Sequence, residues 1–181
     1  MRGLTILVDG FEDTEALTTI DVLRRAKIDI DTVSLDKKEI QTQSNNVIYV
    51  PYLLKDKKIE NYDFLFLPGG KAVFNILDKD KRVDEVIDYF FKNNKLICAI
   101  CAAPRLVAKR GYFKDHDFTS FPGSVDFKCS GNIKSEGVVE SGNFITAKSM
   151  YYTIDFALTI VQKLLGEEQK EKVYHQLRGE I

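Results

Sequence analysis

Cysteine and histidine are scarce in this chain of 181 residues, with three of the first and two of the second. Three is an odd number and too few for a disulfide framework, so free thiols are expected. Cys98, Cys101 and Cys129 with the distant His116 and His175 do not supply four close ligands for structural zinc. No metal is expected. There is no G-x-G-x-x-G or Walker pattern, so nothing marks a nucleotide-phosphate cradle. Neither sign of charge dominates: 26 Lys and Arg face 27 Asp and Glu, for a formal net charge of -1. A nucleic-acid surface needs a basic patch, and the scattered cations offer none. No apolar run is long enough to span a bilayer, so no membrane partner is expected. Arg2 to Val8 is too short for a signal core and runs directly into Asp9-Gly10; a cytoplasmic address is the expectation. Linkers, internal repeats and low-complexity segments are also missing.

What remains is one domain, residues 1–181, long enough to bury a real core. Leu4 to Val8 is an apolar run that reads as an inner strand, broken by Asp9-Gly10. Helical spacing follows from Thr14 to Ala26, with Asp13 or Thr14 as N-cap. Ile28 to Leu35 reads as a second strand. Strand, helix, strand in that order suggests a parallel βαβ unit. Val47 to Val50 is a strand that Pro51 ends or confines to an edge. Asp63 to Leu67 is a buried strand stopped by Pro68-Gly69-Gly70. Helices are expected at Ala72 to Leu77 and Lys81 to Asn93, the second with Val83, Val86, Ile87, Phe90 and Phe91 on one face. Residues 112–146 read as short strands and turns, ending in a strand at Asn143 to Thr146. Two helices, Tyr152 to Leu165 and Glu167 to Leu177, close the chain. The sum is an α/β doubly wound sandwich with a mostly parallel central sheet. Such sheets gather their sites at the carboxyl ends of the strands.

Three segments that follow parallel strands should therefore meet: Gly10 to Glu15, Pro68-Gly69-Gly70 and Cys101-Ala102-Ala103. Lys95 to Ile100 is apolar and reads as a strand, while Ala102 to Ala108 reads as a helix with Pro104 in its opening turn. Cys101 would sit at the corner, where a helix N-terminus favours the thiolate. Backbone N–H groups beside it can hold an anion or an oxyanion. Cys98, within the strand, reads as a buried small hydrophobe, and Cys129 as incidental. Cys98-Ala99-Ile100-Cys101 is formally C-x-x-C, but its first cysteine lies inside a strand instead of opening a helix, which argues against disulfide exchange. Taken alone, Glu15 is an ordinary carboxylate partner for a helix start.

The motifs Asp9-Gly10-Phe11-Glu12-Asp13-Thr14-Glu15, Asp21-Val22-Leu23-Arg24-Arg25-Ala26, Leu67-Pro68-Gly69-Gly70, Ala99-Ile100-Cys101-Ala102-Ala103-Pro104 and Ile145-Thr146 are all present. With them, nearly the whole chain resembles the DJ-1/PfpI family, and within it the DJ-1-like bacterial branch. The resemblance implies a flavodoxin-like sandwich and a homodimer. It implies that Cys101 is the family's reactive cysteine and Glu15 the carboxyl that hydrogen-bonds it. The N–H groups of Gly70 and Ala102 match its oxyanion pocket, and Arg25 would lie near the partner's Cys101. One departure stands out. The protease-like branch has a histidine directly after the cysteine, where this chain has Ala102. DJ-1-like members have one in a later loop, where this chain has Phe121. His116 falls a few residues before Phe121. With no Cys-His dyad in view, peptidase activity is not expected.

Three functions follow from the resemblance. The first is cofactor-free chemistry on small reactive aldehydes: a glyoxalase or deglycase converting methylglyoxal, or its early adducts on glycated proteins, to lactate or glycolate. The second is an oxidative-stress sensor whose Cys101 oxidises to sulfenic and sulfinic acid. The third is a holdase-type chaperone.

Overall fold

The computed structural model describes residues 1–180. In chain order the elements are β1 (Arg2–Ile6), α1 (Asp13–Arg25), β2 (Asp29–Ser34), β3 (Glu39–Gln41), β4 (Val47–Tyr49), β5 (Tyr52–Leu53), β6 (Phe64–Leu67), α2 (Ala72–Asn75) and α3 (Lys81–Lys92). Then come β7 (Leu96–Ile100), α4 (Pro104–Ala108), β8 (Asp117–Phe118), β9 (Asn132–Ile133), β10 (Val138–Ser141), β11 (Phe144–Ala147), α5 (Thr153–Leu165) and α6 (Glu167–Leu177).

Seven strands form the central sheet in the order β10-β11-β7-β6-β1-β2-β5. All its pairings are parallel except β10 with β11. A parallel sheet is covered on both faces, so its inner strands are apolar without alternation. The clearest case is β6, where Phe64, Leu65, Phe66 and Leu67 are all fully buried. Burial of each such side chain stabilises the fold by roughly 1.5–3 kcal/mol.

Each long helix buries the stripe that its sequence spacing dictates. In α1 the Glu12 side chain caps the N-terminus by accepting from the Glu15 N–H at 2.7 Å. Ala16, Ile20 and Leu23 face the core, and the chain leaves the helix at Lys27 with φ +64°. Asp80 caps α3 by accepting from the Arg82 N–H at 2.9 Å, and Val83, Val86, Ile87 and Phe90 are buried. From β1 the chain moves one way to β2 through α1. From β6, on the other side of β1, it moves the opposite way to β7 through α3. Right-handed crossovers then place α1 and α3 on opposite faces. α5 packs on α1 and α6 on α5, completing the α1 layer. The order reverses between β1 and β6, and a crevice opens there at the strand ends.

Several boundaries differ from the sequence expectations. β1 starts at Arg2, which pairs in register with Asp29, and stops at Ile6; Leu7 and Val8 are buried beyond it. Val47–Tyr49 is a strand, but it pairs with β3 in a separate hairpin. The edge of the main sheet is the two-residue β5, on the far side of Pro51. The helix after Gly70 is only four residues, followed by a 3-10 turn at Leu77–Lys79. The helix after Cys101 begins at Pro104, not Ala102.

Candidate active site

Each of the three loops brings its own group to the crevice. β1 leads to the turn at Gly10 and on to Glu15, in the first turn of α1. β6 leads to Gly69 and Gly70. Phe11 and Gly70 form an antiparallel bridge, so the first two loops are stitched together. The Glu12 N–H donates to the Gly69 carbonyl at 3.2 Å, and the Ala72 N–H to the Gly10 carbonyl at 3.0 Å. Gly70 has φ +94°, and a Cβ there would lie 2.5 Å from Glu12 N and Gly10 O. Both the backbone angle and the space demand glycine.

Directly after β7, Cys101 has φ +62°, the left-handed region that ordinary residues avoid. Two backbone bonds hold it there. Its N–H donates to the Ala147 carbonyl at 2.8 Å, and its carbonyl accepts from the Phe121 N–H at 2.8 Å. The strain, of order 1–3 kcal/mol, turns the side chain out of the sheet and into the crevice.

Glu15 and Cys101 meet over Gly69. A Cβ on Gly69 would lie 2.6 Å from Glu15 Oε2 and 2.8 Å from Cys101 Cβ. Glu15 is fully buried. Its Oε2 accepts from the Gly69 N–H at 2.8 Å, and the carboxyl's other contact is the Cys101 thiol. Oε1 has no nitrogen or oxygen donor among the described residues. Burial pushes the carboxyl up from 4.5 to about 7, against the hydrogen bonds from the thiol and Gly69. The backbone N–H groups of Ala102 and Gly70 lie close enough to the Cys101 sulfur to favour its charged form.

The thiol's own pKa moves opposite to the sequence expectation. Burial, then the charge of Glu15, push it up, while the two N–H groups pull it down. A helix of five residues starting three positions away is too short and too far to offset this. The balance changes when Glu15 holds a proton. The repulsion then vanishes, and the carboxyl becomes a donor to sulfur beside the two N–H groups. Protonation of Glu15 therefore removes one of the influences that raise the thiol, while burial, the larger one, stays.

Cys101 opens onto a cavity of about 250 Å³ lined by Glu12, Gln43, Gly70, Lys71, Phe74, Ala102 and Phe121. Glu12, Gln43, Lys71 and Phe74 had not been singled out from the sequence. Lys71 directly follows Gly70, and Glu12 lies one helical turn before Glu15, so both could have been inferred from the motifs. Nothing signalled Gln43, which arrives between β3 and β4 with its N–H bonded to the Phe11 carbonyl at 2.8 Å.

Arg25 does not reach this cavity within the chain. It ends α1, roughly 15 Å along the helix from Glu15, and pairs with Asp21 at 2.7 Å. His116 is also elsewhere, at the opposite end of β7. Its Nδ1 lies 3.1 Å from Ser141 Oγ, its ring packs edge-on against Phe144, and it lines a separate cavity of about 290 Å³. No histidine lines the Cys101 cavity. Cys98 is completely buried. Among the described residues no cluster of His, Cys, Asp and Glu could hold a metal ion, and no helix is long and apolar enough to cross a membrane.

Comparison with known proteins gives a consistent answer. The sequence model of the DJ-1/PfpI family matches residues 1–163. Protein DJ-1alpha of Drosophila melanogaster is 35% identical over 178 residues, covering 95% of this chain and 81% of that protein. The Parkinson disease protein 7 homolog of Danio rerio is 33% identical over 181 residues, covering 95% and 94%. The crystal structure of Drosophila melanogaster DJ-1beta superposes with a TM-score of 0.89 at 29% identity, covering 97% of this chain and 96% of that one.

Proposed function

The chain belongs to the DJ-1/PfpI family, and from that premise we propose that it is a stress-protection enzyme that processes α-oxoaldehydes at Cys101 without a cofactor. Methylglyoxal and its early adducts on proteins are the substrates, and lactate is the product. One observation carries this reading: a strained, cavity-facing Cys101 sits beside a buried Glu15 pushed up to about 7, with the N–H groups of Gly70 and Ala102 next to its sulfur.

In the Cys101 thiolate form, sulfur adds to the aldehyde carbon and a C–S bond replaces the C=O π bond. The N–H groups of Gly70 and Ala102 hold the oxyanion, which takes the proton from Glu15. Glu15, now ionised, removes the hydrogen from that carbon, and the electron pair passes toward the neighbouring ketone. Returning the proton to the second carbon leaves a thioester on Cys101. Water hydrolyses it to lactate and restores the thiol. The aldehyde carbon is oxidised and the ketone carbon reduced, so no outside oxidant or reductant enters. An acid–base group works best with a pKa near the operating pH, where burial puts Glu15. The protein works as a homodimer, in which Arg25 lies near the partner's Cys101; a monomeric mass in solution would contradict that part.

The test is lactate formation from methylglyoxal by wild type, Cys101→Ala and Glu15→Gln. Turnover lost in both variants supports the reading, and lactate no faster than the buffer blank with wild type refutes it. The absence of a histidine from the cavity favours a second reading. Oxidation of Cys101 by peroxide needs no imidazole, and the same N–H groups suit a sulfinate. A gain of two oxygens at Cys101 without lactate formation would select it.

A further inference from the structure

The cavity beside Cys101 contains more polar machinery than the aldehyde chemistry uses. Lys71 is the only cationic residue in its lining. Asp9, the carboxylate just before Gly10, pairs with Lys37 at 2.6 Å, and Lys71 forms no ion pair among the described residues. Next to it stands Gln43, whose Oε1 accepts from the Lys71 backbone N–H at 2.9 Å. Because the donor is a backbone amide, the acceptor must be the side-chain oxygen, which settles the amide's orientation. Gln43 Nε2, with two N–H donors, has no acceptor among the described residues. The remaining walls are mostly apolar: Phe74, Phe121 and Ala102. Glu12 also lines the cavity, but one of its oxygens is committed to the Glu15 N–H at 2.7 Å, and burial pushes its pKa up. It sits at the positive end of α1, which offsets its charge. Lys71 and Gln43 thus line one cavity with Cys101, both with exposed side chains, and an ammonium together with an amide N–H matches the two oxygens of a carboxylate.

We propose that Lys71 and the free amide end of Gln43 form a carboxylate-recognition subsite beside Cys101, selecting carbonyl compounds that carry a carboxylate close to the reacting carbon. This rests on the reading of Cys101 as a nucleophile toward carbonyl carbon and names the substrate class that the cavity prefers. Adducts of an oxoaldehyde with an amino acid or a carboxylate-bearing thiol belong to that class; methylglyoxal itself lacks the anion and uses only the Cys101 end of the cavity.

The preference is measurable without turnover. Iodoacetate and iodoacetamide alkylate a thiolate by the same displacement of iodide, forming one C–S bond, and differ in a carboxylate against a neutral amide. Their rate ratio at Cys101 cancels the thiolate fraction and reports attraction of the anion. Peptide mapping separates Cys101 from Cys129, which serves as an internal reference outside the cavity. At low salt the ratio should be about three-fold or more higher in wild type than in Lys71→Met and Lys71→Gln. Lys71→Arg should preserve the ratio, and added salt should shrink the difference. An unchanged ratio at Cys101 in both uncharged variants overturns the proposal. The failure modes stay separate: absence of lactate from methylglyoxal refutes the turnover reading, while the alkylation ratio still reports on Lys71.

Discussion

Replacing Glu15 with glutamine should make the variant's stability relative to wild type strongly dependent on pH. In the folded protein burial raises the Glu15 carboxyl from 4.5 to about 7. Between those values the native state keeps the proton and the unfolded chain has lost it. The unfolded state then binds fewer protons, so stability falls as pH rises. The contribution is fully present below pH 4.5 and is lost as pH rises through 7. Integrated over that window, the loss is about 3 kcal/mol. Glutamine keeps an oxygen for the Gly69 N–H and cannot ionise, so it removes this term alone. Urea unfolding of both proteins under reducing conditions at pH 4.5, 6, 7 and 8 gives the difference directly. The variant should gain about 3 kcal/mol on wild type between the ends of the series. Thiols of the unfolded chain begin to titrate near pH 8 in both proteins alike, so they cancel in the difference. A difference that stays within about 0.5 kcal/mol across the series would refute the raised carboxyl, since surface substitutions vary by that much. The proposed role of Glu15 as a proton carrier near neutral pH would fall with it.

Three further outcomes follow from the same geometry. Gly70→Ala adds a Cβ 2.5 Å from two backbone atoms at φ +94°, so it should cost at least about 2 kcal/mol in urea unfolding and slow alkylation of Cys101 by displacing a donor to its sulfur. Phe121→His places an imidazole on the cavity wall, on the loop whose N–H binds the Cys101 carbonyl; it should raise kcat for lactate formation about ten-fold or more by supplying a second acid–base group, and an unchanged kcat would show that proton transfer by such a group does not limit turnover. Arg105 joins Asp78 at 3.0 Å to the Ser124 carbonyl at 2.9 Å and pairs with Asp126, pinning the turn that carries Phe121. Arg105→Ala should therefore destabilise by about 2 kcal/mol and speed hydrogen exchange at the Phe121 and Ser124 amides.

Much of the architecture was legible because apolar runs and glycine breaks carry it. The unbroken run before Cys101 and the proline after it placed the thiol at the end of a buried strand. The Phe64–Leu67 run marked the strand beside it, and Gly69-Gly70 marked the loop that now needs glycine on steric grounds. The two-residue strands were not legible. Tyr52–Leu53 and Asp117–Phe118 are too short to show a period, and their partners lie far along the chain. Glu15 read from its own position is a helix-start carboxylate, and only the family resemblance joined it to Cys101. The direction of the Cys101 pKa runs against the sequence expectation for a physical reason. A sequence reveals the charge near a thiol more readily than its burial, and here burial is the largest influence. Gln43 reached the cavity through the hairpin of Glu39–Gln41 and Val47–Tyr49, whose placement over the crevice no local pattern records.

The central claim is that Cys101 attacks the aldehyde and Glu15 then moves the proton between the two carbons. Carbon NMR of Glu15→Gln mixed with methylglyoxal labelled at the aldehyde carbon tests both halves at once. The account predicts a hemithioacetal signal that depends on Cys101, persists, and gives no labelled lactate above the buffer blank, whereas wild type converts the label to lactate. Labelled lactate formed by Glu15→Gln at the wild-type rate, or by Cys101→Ala, would contradict it.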